Sequence, residues 1–489
     1  MSSLTVEREP GAPGFWPIAF LGTALFGVVL FIAFRWGFGA GILGAAAGVA
    51  GIAILPNYRI AFLGLVIFIP HLGEIDTGGI LPVIWLVPFG FAIASWCFQA
   101  LFNPRQLYLE PRYTFLYAIF IVICVLSILL GLSPSLIPDW LMLDGLAYHR
   151  MREILFATLI GVLAMSACRT VDDVRRLAWT VVITGIPYAI TLFFFGAELE
   201  PDGSIPRRKG FYLDAHPGAF HMQFCLWIAI ALIRASAPGR ARWFLIGACV
   251  LFLSTHNVTN ARMIQATIPT MIILAMVLEG KTKWAFMTCV GLGVAFVLLL
   301  PVMPQNLRSN FLTIIAAVSG QADSETVQLQ TGSVNLSTFA VRLIHIKWGL
   351  ELWMESPWIG CGLGKHMWIS NLPEAPAIHN YYVGVLAETG IFGFSAYSAL
   401  VLLGVVVGIR FMRRMLREGE QLLAYFTESM LVIMASALMV FLTSMGNAQG
   451  ERFIWLAMGL MVSFPALYRR IRDPGASLRN PQGNGQNSA

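Results

Sequence analysis

The residues best suited to chemistry lie between His379 and Gly393, where the chain passes from a polar stretch into a hydrophobic one and carries His379, Asn380, Glu388 and Gly390 within a dozen positions. An imidazole with an unperturbed pKa of ~6.5 can accept a hydroxyl proton near neutral pH, which makes His379 a candidate base. Ionisable groups at the edge of a bilayer are costly to desolvate, so such a cluster points to a function and to partners elsewhere in the chain. Glu388 either orients that site or caps an interface; Asn380 is read as a supporting residue.

Candidate cations for an anionic ligand are few. Arg207-Arg208-Lys209 forms a basic triplet in a short loop expected on the outer face, where such loops normally carry few basic residues. Guanidinium groups offer paired donors to phosphate oxygens, so Arg207 and Arg208 suit a diphosphate headgroup; the plainer reading is pairing with Glu198, Glu200 and Asp202. Arg342 and His345 are three apart on a predicted helix and share a face. Lys347 points elsewhere and has Glu351 at i+4, which reads as a structural pair. Arg342 has no acid at i±3 or i±4 and is left for an anionic ligand. Arg262 opens a span from the outer side and is a further candidate, with lipid-phosphate anchoring as its alternative.

Other chemistries find little support. The eight histidines all fall in or next to loops of the same face, a pattern that a preference of imidazole for the wet ends of helices would also produce, and no His-x-x-x-His or His-Glu-x-x-His spacing suggests zinc. Six of the seven cysteines lie in or at the ends of apolar segments and Cys361 stands apart, giving no disulfide framework and no Cys-x-x-Cys pattern. The Gly-x-Gly-x-Gly run at 360–364 does not follow a parallel strand, so it reads as a backbone bend rather than a nucleotide loop. No metal, cofactor or nucleic-acid partner is expected.

The elements that must position these residues are membrane spans. Charged residues make up 12% of the 489 positions and apolar ones 57%, against roughly a quarter charged in a soluble domain. Runs such as Thr114 to Leu132, Trp284 to Met303 and Leu422 to Met445 match the ~20 residues a helix needs to cross the hydrocarbon core. The expected fold is all-α, a polytopic helical membrane protein of about 12–14 spans with one large outer loop containing short helices. The first thirteen residues lack the pattern of a cleaved leader, so a retained anchor is expected near Phe15 to Phe34. The net charge of +6 matters less than its placement. Basic clusters at Arg169–Arg176, Arg234–Arg242, Lys281–Lys283, Arg410–Arg417 and Arg469–Arg472 fall on one side when spans are counted alternately, which predicts that side, with both termini, to be cytoplasmic.

Domain organisation follows: a tail over 1–13, an N-terminal bundle over 14–196, a membrane region over 197–303 with a basic outer loop at 197–217, a large outer loop over 304–390, terminal spans over 391–472 and a tail over 473–489. Within the large loop, a polar part from Gln321 to Ser337 precedes a helix capped by Ser337 or Thr338 and stopped by Ser356-Pro357. A short helix opened by His379 is expected to break at Gly390 before a span over Ile391 to Ile409.

Arg342, Trp348, Pro357, Gly360, Gly362 and Gly364, followed by His379-Asn380 with nine residues before Gly390 and then Gly393, resemble the O-antigen ligase and Wzy-type polymerase superfamily. The likeness runs from Arg207 to near Leu400, and His-Asn-x9-Gly-x-x-Gly after a large outer loop is its most specific element; the N-terminal 200 or so residues match only as spans. The resemblance implies a periplasmic site in the bacterial inner membrane that transfers a glycan from undecaprenyl diphosphate to an acceptor hydroxyl, without metal or nucleotide sugar. His379 would be the base, and Arg208 or Arg207, with Arg342, would hold the diphosphate. The family often has Ser-Arg-Gly where this chain has Ala261-Arg262-Met263, which weakens the case for Arg262.

A polymerase acting on lipid-linked glycan, a ligase using a lipid A core acceptor and a protein O-oligosaccharyltransferase would share all these residues. A lipid-linked sugar flippase also often has twelve to fourteen spans, but would place its ionisable groups near mid-membrane rather than at one face. A scaffold would predict no penalty for losing His379.

Overall fold

A computed structural model of the chain describes residues 56–69, 81–104, 107–131, 146–194, 197–198, 207–208, 215–235, 239–259, 262–299, 334–364, 378, 380–442 and 448–472. The architecture is all-α and polytopic. The only strands among the described residues are β1 (Ala197–Glu198) and β2 (Arg207–Arg208), an antiparallel pair with Ala197 opposite Arg208 and Glu198 opposite Arg207.

The chain divides into two compact units, residues 1–108 and 109–489. In the first, α1 (Tyr58–Phe68) packs on α2 (Leu81–Phe102), and Gln99 Nε2 donates to the Pro56 carbonyl at 2.6 Å. The second contains α3 (Pro111–Leu130), α4 (Leu146–Met165), α5 (Val171–Phe194), α6 (Ala215–Ala235), α7 (Arg240–Thr259), α8 (Arg262–Leu278), α9 (Thr282–Leu299), α10 (Val334–Glu355), α11 (Tyr381–Glu418), α12 (Gln421–Val440) and α13 (Ala448–Arg472).

Five described segments are long and apolar enough to cross a membrane: α3, α5, Gly218–Ala235 of α6, α11 and α12. Helices α4 and α13 are long as well, but they carry charges within their length: Arg150, Arg152 and Glu153 in the first, Glu451 and Arg452 in the second. Their packing explains why. The two lie against each other, and Arg150, Glu451 and Arg452 are turned inward instead of toward lipid. The expected anchor at Phe15 to Phe34, both tails and residues 304–333 of the expected outer loop, with most of its polar part from Gln321 to Ser337, lie outside the described residues.

The core of the second unit is apolar and aromatic. Trp455 of α13 is 2% exposed and packs edge-on against Tyr113, Tyr117 and Tyr397, with Phe120 tilted beside it. Some polar groups inside this core pair with one another: Ser436 Oγ of α12 lies 2.9 Å from both Gln223 Oε1 of α6 and Thr267 Oγ1 of α8. That matters where no water is present to bond them. At one end of the bundle Arg234 of α6 donates to Glu428 of α12 at 3.0 Å and pairs with Glu279 just beyond α8, locking three helix ends.

Two expected boundaries are corrected. Helix α10 opens at Val334, not after a cap at Ser337 or Thr338. Ser and Thr lose only a few tenths of a kcal/mol inside a helix, too little to force a boundary once neighbouring residues favour the helix. Helix α11 begins at Tyr381, with Asn380 rather than His379 at its start. Its break at Gly390 is present (φ 63°, ψ −169°), and the helix runs on to Glu418. The stop of α10 at Ser356-Pro357 is also as expected.

Candidate active site at the broken helix

The site is built around the start of α11. Asn380 is its N-cap: the side-chain oxygen accepts from Val383 N at 3.1 Å, satisfying one of the free amides of the first turn. Its Nδ2 donates to the Leu442 carbonyl at 3.0 Å, and Tyr381 N donates to the Phe441 carbonyl at 3.0 Å. The start of α11 is thereby tied to the end of α12. On the other side, Ile378 is buried against Leu352 of α10 and Ala387 of α11, with Trp348 and Val383 around them. His379 lies outside the described residues, but the residues before and after it, Ile378 and Asn380, are both anchored.

Helix α10 presses closely on this segment. A Cβ at Gly349 would meet Val383 Cγ1 at 2.6 Å and Ile378 Cδ1 at 2.9 Å. His345, Gly349 and Leu352 follow one helical stripe, and Arg342 lies about one turn, about 5 Å, before His345 in the same helix. The face of α10 that carries Gly349 and Leu352 is turned to the start of α11. His345 is 4% exposed, and burial lowers its pKa from the ordinary histidine value, favouring the neutral ring. Lys347 is solvent-exposed and 3.8 Å from Glu351, the expected i+4 pair.

The glycine-rich turn that follows α10 docks on the break in α11. Cys361 N donates to the Ala387 carbonyl at 2.8 Å and Gly362 N to the Glu388 carbonyl at 3.1 Å; Ile391 N donates back to the Pro357 carbonyl at 2.9 Å. Gly360, Gly362, Gly364 and Gly390 all have positive φ, which only glycine adopts freely. The amides and carbonyls left open by the broken helix are thus paired to this turn, as burial requires. The turn is a backbone bend that seals α11, and the element leading into it is helix α10 rather than a strand.

Glu388 joins these parts. It is 2% exposed; Oε1 accepts from Gly364 N at 3.0 Å and Oε2 from Arg150 Nε at 3.3 Å, while its carbonyl accepts from the Ser127 hydroxyl of α3. Arg150 also lies 3.5 Å from Glu451 of α13 and 3.5 Å from Glu153, and its guanidinium sits 5.8 Å from the centre of the Tyr381 ring. Sequence reasoning misses Arg150 and Glu451. Their only signal there is an arginine and a glutamate near the starts of two hydrophobic segments, with nothing to show that they meet.

The remaining expected site residues are placed by backbone alone. Arg207 and Arg208 form β2, and β2 packs against α7; Arg262 is the first residue of α8 and Arg342 lies in α10. The structure places Asn380 at the start of α11, Glu388 just before its break and His345 on α10, the helix that packs against α11. No group of three or more His, Cys, Asp or Glu side chains suited to a metal occurs among the described residues.

No curated protein matches the chain. A family match covers the second half of α7, then α8 to α10, the glycine-rich turn and the first half of α11; Arg207 and Arg208 fall before it. The matching family is O-antigen ligase, over residues 247–398, so this part of the chain is similar to that family, in line with the resemblance read from the sequence.

Proposed function

We propose that this protein transfers a glycan from undecaprenyl diphosphate to an acceptor hydroxyl at the periplasmic face of the bacterial inner membrane, by direct displacement and without a metal ion. The family match supports glycan transfer in polysaccharide or lipopolysaccharide assembly. The observation that supports the finer reading is the anchoring of Ile378 and Asn380, the two neighbours of His379 in the chain, with Ile378 packed on helix α10.

In the proposed reaction the acceptor oxygen attacks the anomeric carbon while the bond from that carbon to the diphosphate oxygen breaks. His379 takes the acceptor proton, and undecaprenyl diphosphate leaves with the bonding electron pair. Arg342 and Arg208, with Arg207 beside it and Arg262 as a further contributor, stabilise the charge that develops on the leaving group. Arg150 is not available for this role, because Glu388, Glu451 and Glu153 already surround it. A single displacement inverts the anomeric configuration; retention in the product refutes it.

Deletion of the gene followed by complementation with wild type or His379→Ala, read as lipopolysaccharide ladders and secreted polysaccharide, tests the reading. Failure of His379→Ala to restore product is expected, while purified variant still binds the lipid-linked donor. Lost ladders with accumulated lipid-linked polymer identify a ligase, and single-repeat products a polymerase. Full rescue by His379→Ala removes His379 as the base. Purified enzyme should retain turnover in a metal chelator.

A further inference from the structure

The Arg150 cluster is an unusual use of charge. Two carboxylates, Glu388 and Glu451, each 2% exposed, meet one guanidinium inside a bundle that could have been joined there by apolar side chains. Replacing a buried ion pair by well-packed apolar residues is often neutral or stabilising, so its retention is better explained by the geometry it imposes than by stability.

That geometry centres on one short stretch of chain. Arg150 lies against Tyr381, two residues after His379, and holds Glu388, two residues before the Gly390 break. Through the other oxygen of Glu388 it reaches Gly364 of the turn, and through Glu451 it reaches α13. It therefore touches the first helical segment of α11 at both ends. Its nitrogens are divided among the partners, Nε to Glu388 and one terminal nitrogen to Glu451, which the single ammonium of lysine cannot reproduce at both positions.

We propose that Arg150 is a positioning residue for glycan transfer: by gripping Glu388 and Glu451 beside the Tyr381 ring, it fixes the start of α11, which follows His379 by two residues in the chain, without contacting donor or acceptor. This rests on His379 as the base. A residue remote from the reacting atoms that sets their placement acts on kcat, because misplacement of about 1 Å can cost about 10²-fold in rate.

The test uses full-length protein in detergent or liposomes with an undecaprenyl-diphosphate-linked glycan, turnover being normalised to folded protein by gel filtration and thermal unfolding. Arg150→Lys should fold and lose about 10²-fold in kcat, with KM for the donor unchanged. Glu388→Gln, nearly isosteric, should reproduce that loss and carries the same test if Arg150→Lys does not fold. The double variant should be no slower than the slower single one, since both break one linkage. Unchanged kcat in the folded variants, a raised donor KM at unchanged kcat, or multiplied losses in the double variant would each overturn the proposal. His379→Ala measured in parallel separates the two readings: its full activity overturns the base assignment, whereas its inactivity beside fully active Arg150→Lys and Glu388→Gln overturns the positioning role alone.

Discussion

Gly360 and Gly390 lie back to back: a Cβ on Gly360 would overlap the backbone of Glu388 and Thr389, and a Cβ on Gly390 would overlap that of Trp358 and Ile359. Both have positive φ, 83° and 63°. The break in α11 and the turn after α10 are thus one interlocked unit.

Gly390→Ala should destabilise the protein by more than ~2 kcal/mol, since the φ/ψ values at 390 belong to a region essentially restricted to glycine and the overlap adds to that cost. Gly384→Ala is the control. A Cβ there meets nothing within 4 Å, and alanine in a helix is favoured over glycine by ~1 kcal/mol. Thermal unfolding in detergent should separate the two variants in opposite directions.

Asn380→Ala should cost ~1 kcal/mol for the lost cap, and more if the Leu442 carbonyl is left without a partner. Asn380→Asp keeps an acceptor for Val383 N and loses the donor to Leu442, so it should fall between wild type and Asn380→Ala. Equal melting temperatures for all three proteins would show that the cap does not hold the start of α11.

Arg208→Ala and Arg342→Ala should each weaken donor binding by ~1.5 to 3 kcal/mol if each makes a charge-assisted hydrogen bond to the diphosphate. Lys347→Ala should change neither binding nor stability by more than ~1 kcal/mol, because its partner Glu351 is also exposed and solvent screens the pair. Titration of purified variants with lipid-linked glycan checks all three; complete loss of transfer in Lys347→Ala would contradict the helix-face argument.

His345 gives a pH dependence of known sign. Its folded pKa lies below the ordinary value of 6.5, so the unfolded chain binds the proton more tightly. The stability contribution is present above pH 6.5 and is lost as pH falls from there through the lower folded pKa. His345→Gln should reduce the drop in melting temperature between pH 7.5 and pH 5.5; an identical drop in both proteins would place its origin elsewhere.

Several of these features are legible in the amino-acid sequence. Lys347 and Glu351 pair because they are four apart on a helix, Pro357 ends α10 because it follows the last helical turn, and the break in α11 falls at the expected Gly390. Each is a short-range property. The start of α10 is less legible, because a serine or threonine that could cap a helix can also sit inside it at small cost.

The sequence by itself determined that the chain is a polytopic helical membrane protein, since so few charges cannot cover a soluble surface of this length, and it marked His379 and Asn380 beside a span. Only the tertiary structure decided that Asn380 ties α11 to Leu442, that the glycine-rich turn seals the broken helix, and that Arg150 and Glu388 meet across 238 positions. Helical periodicity reports which residues share a face, but not which face of a distant helix lies opposite. That choice is made by close packing, where the only side chains that fit are those that fill the space and satisfy one another's polar groups.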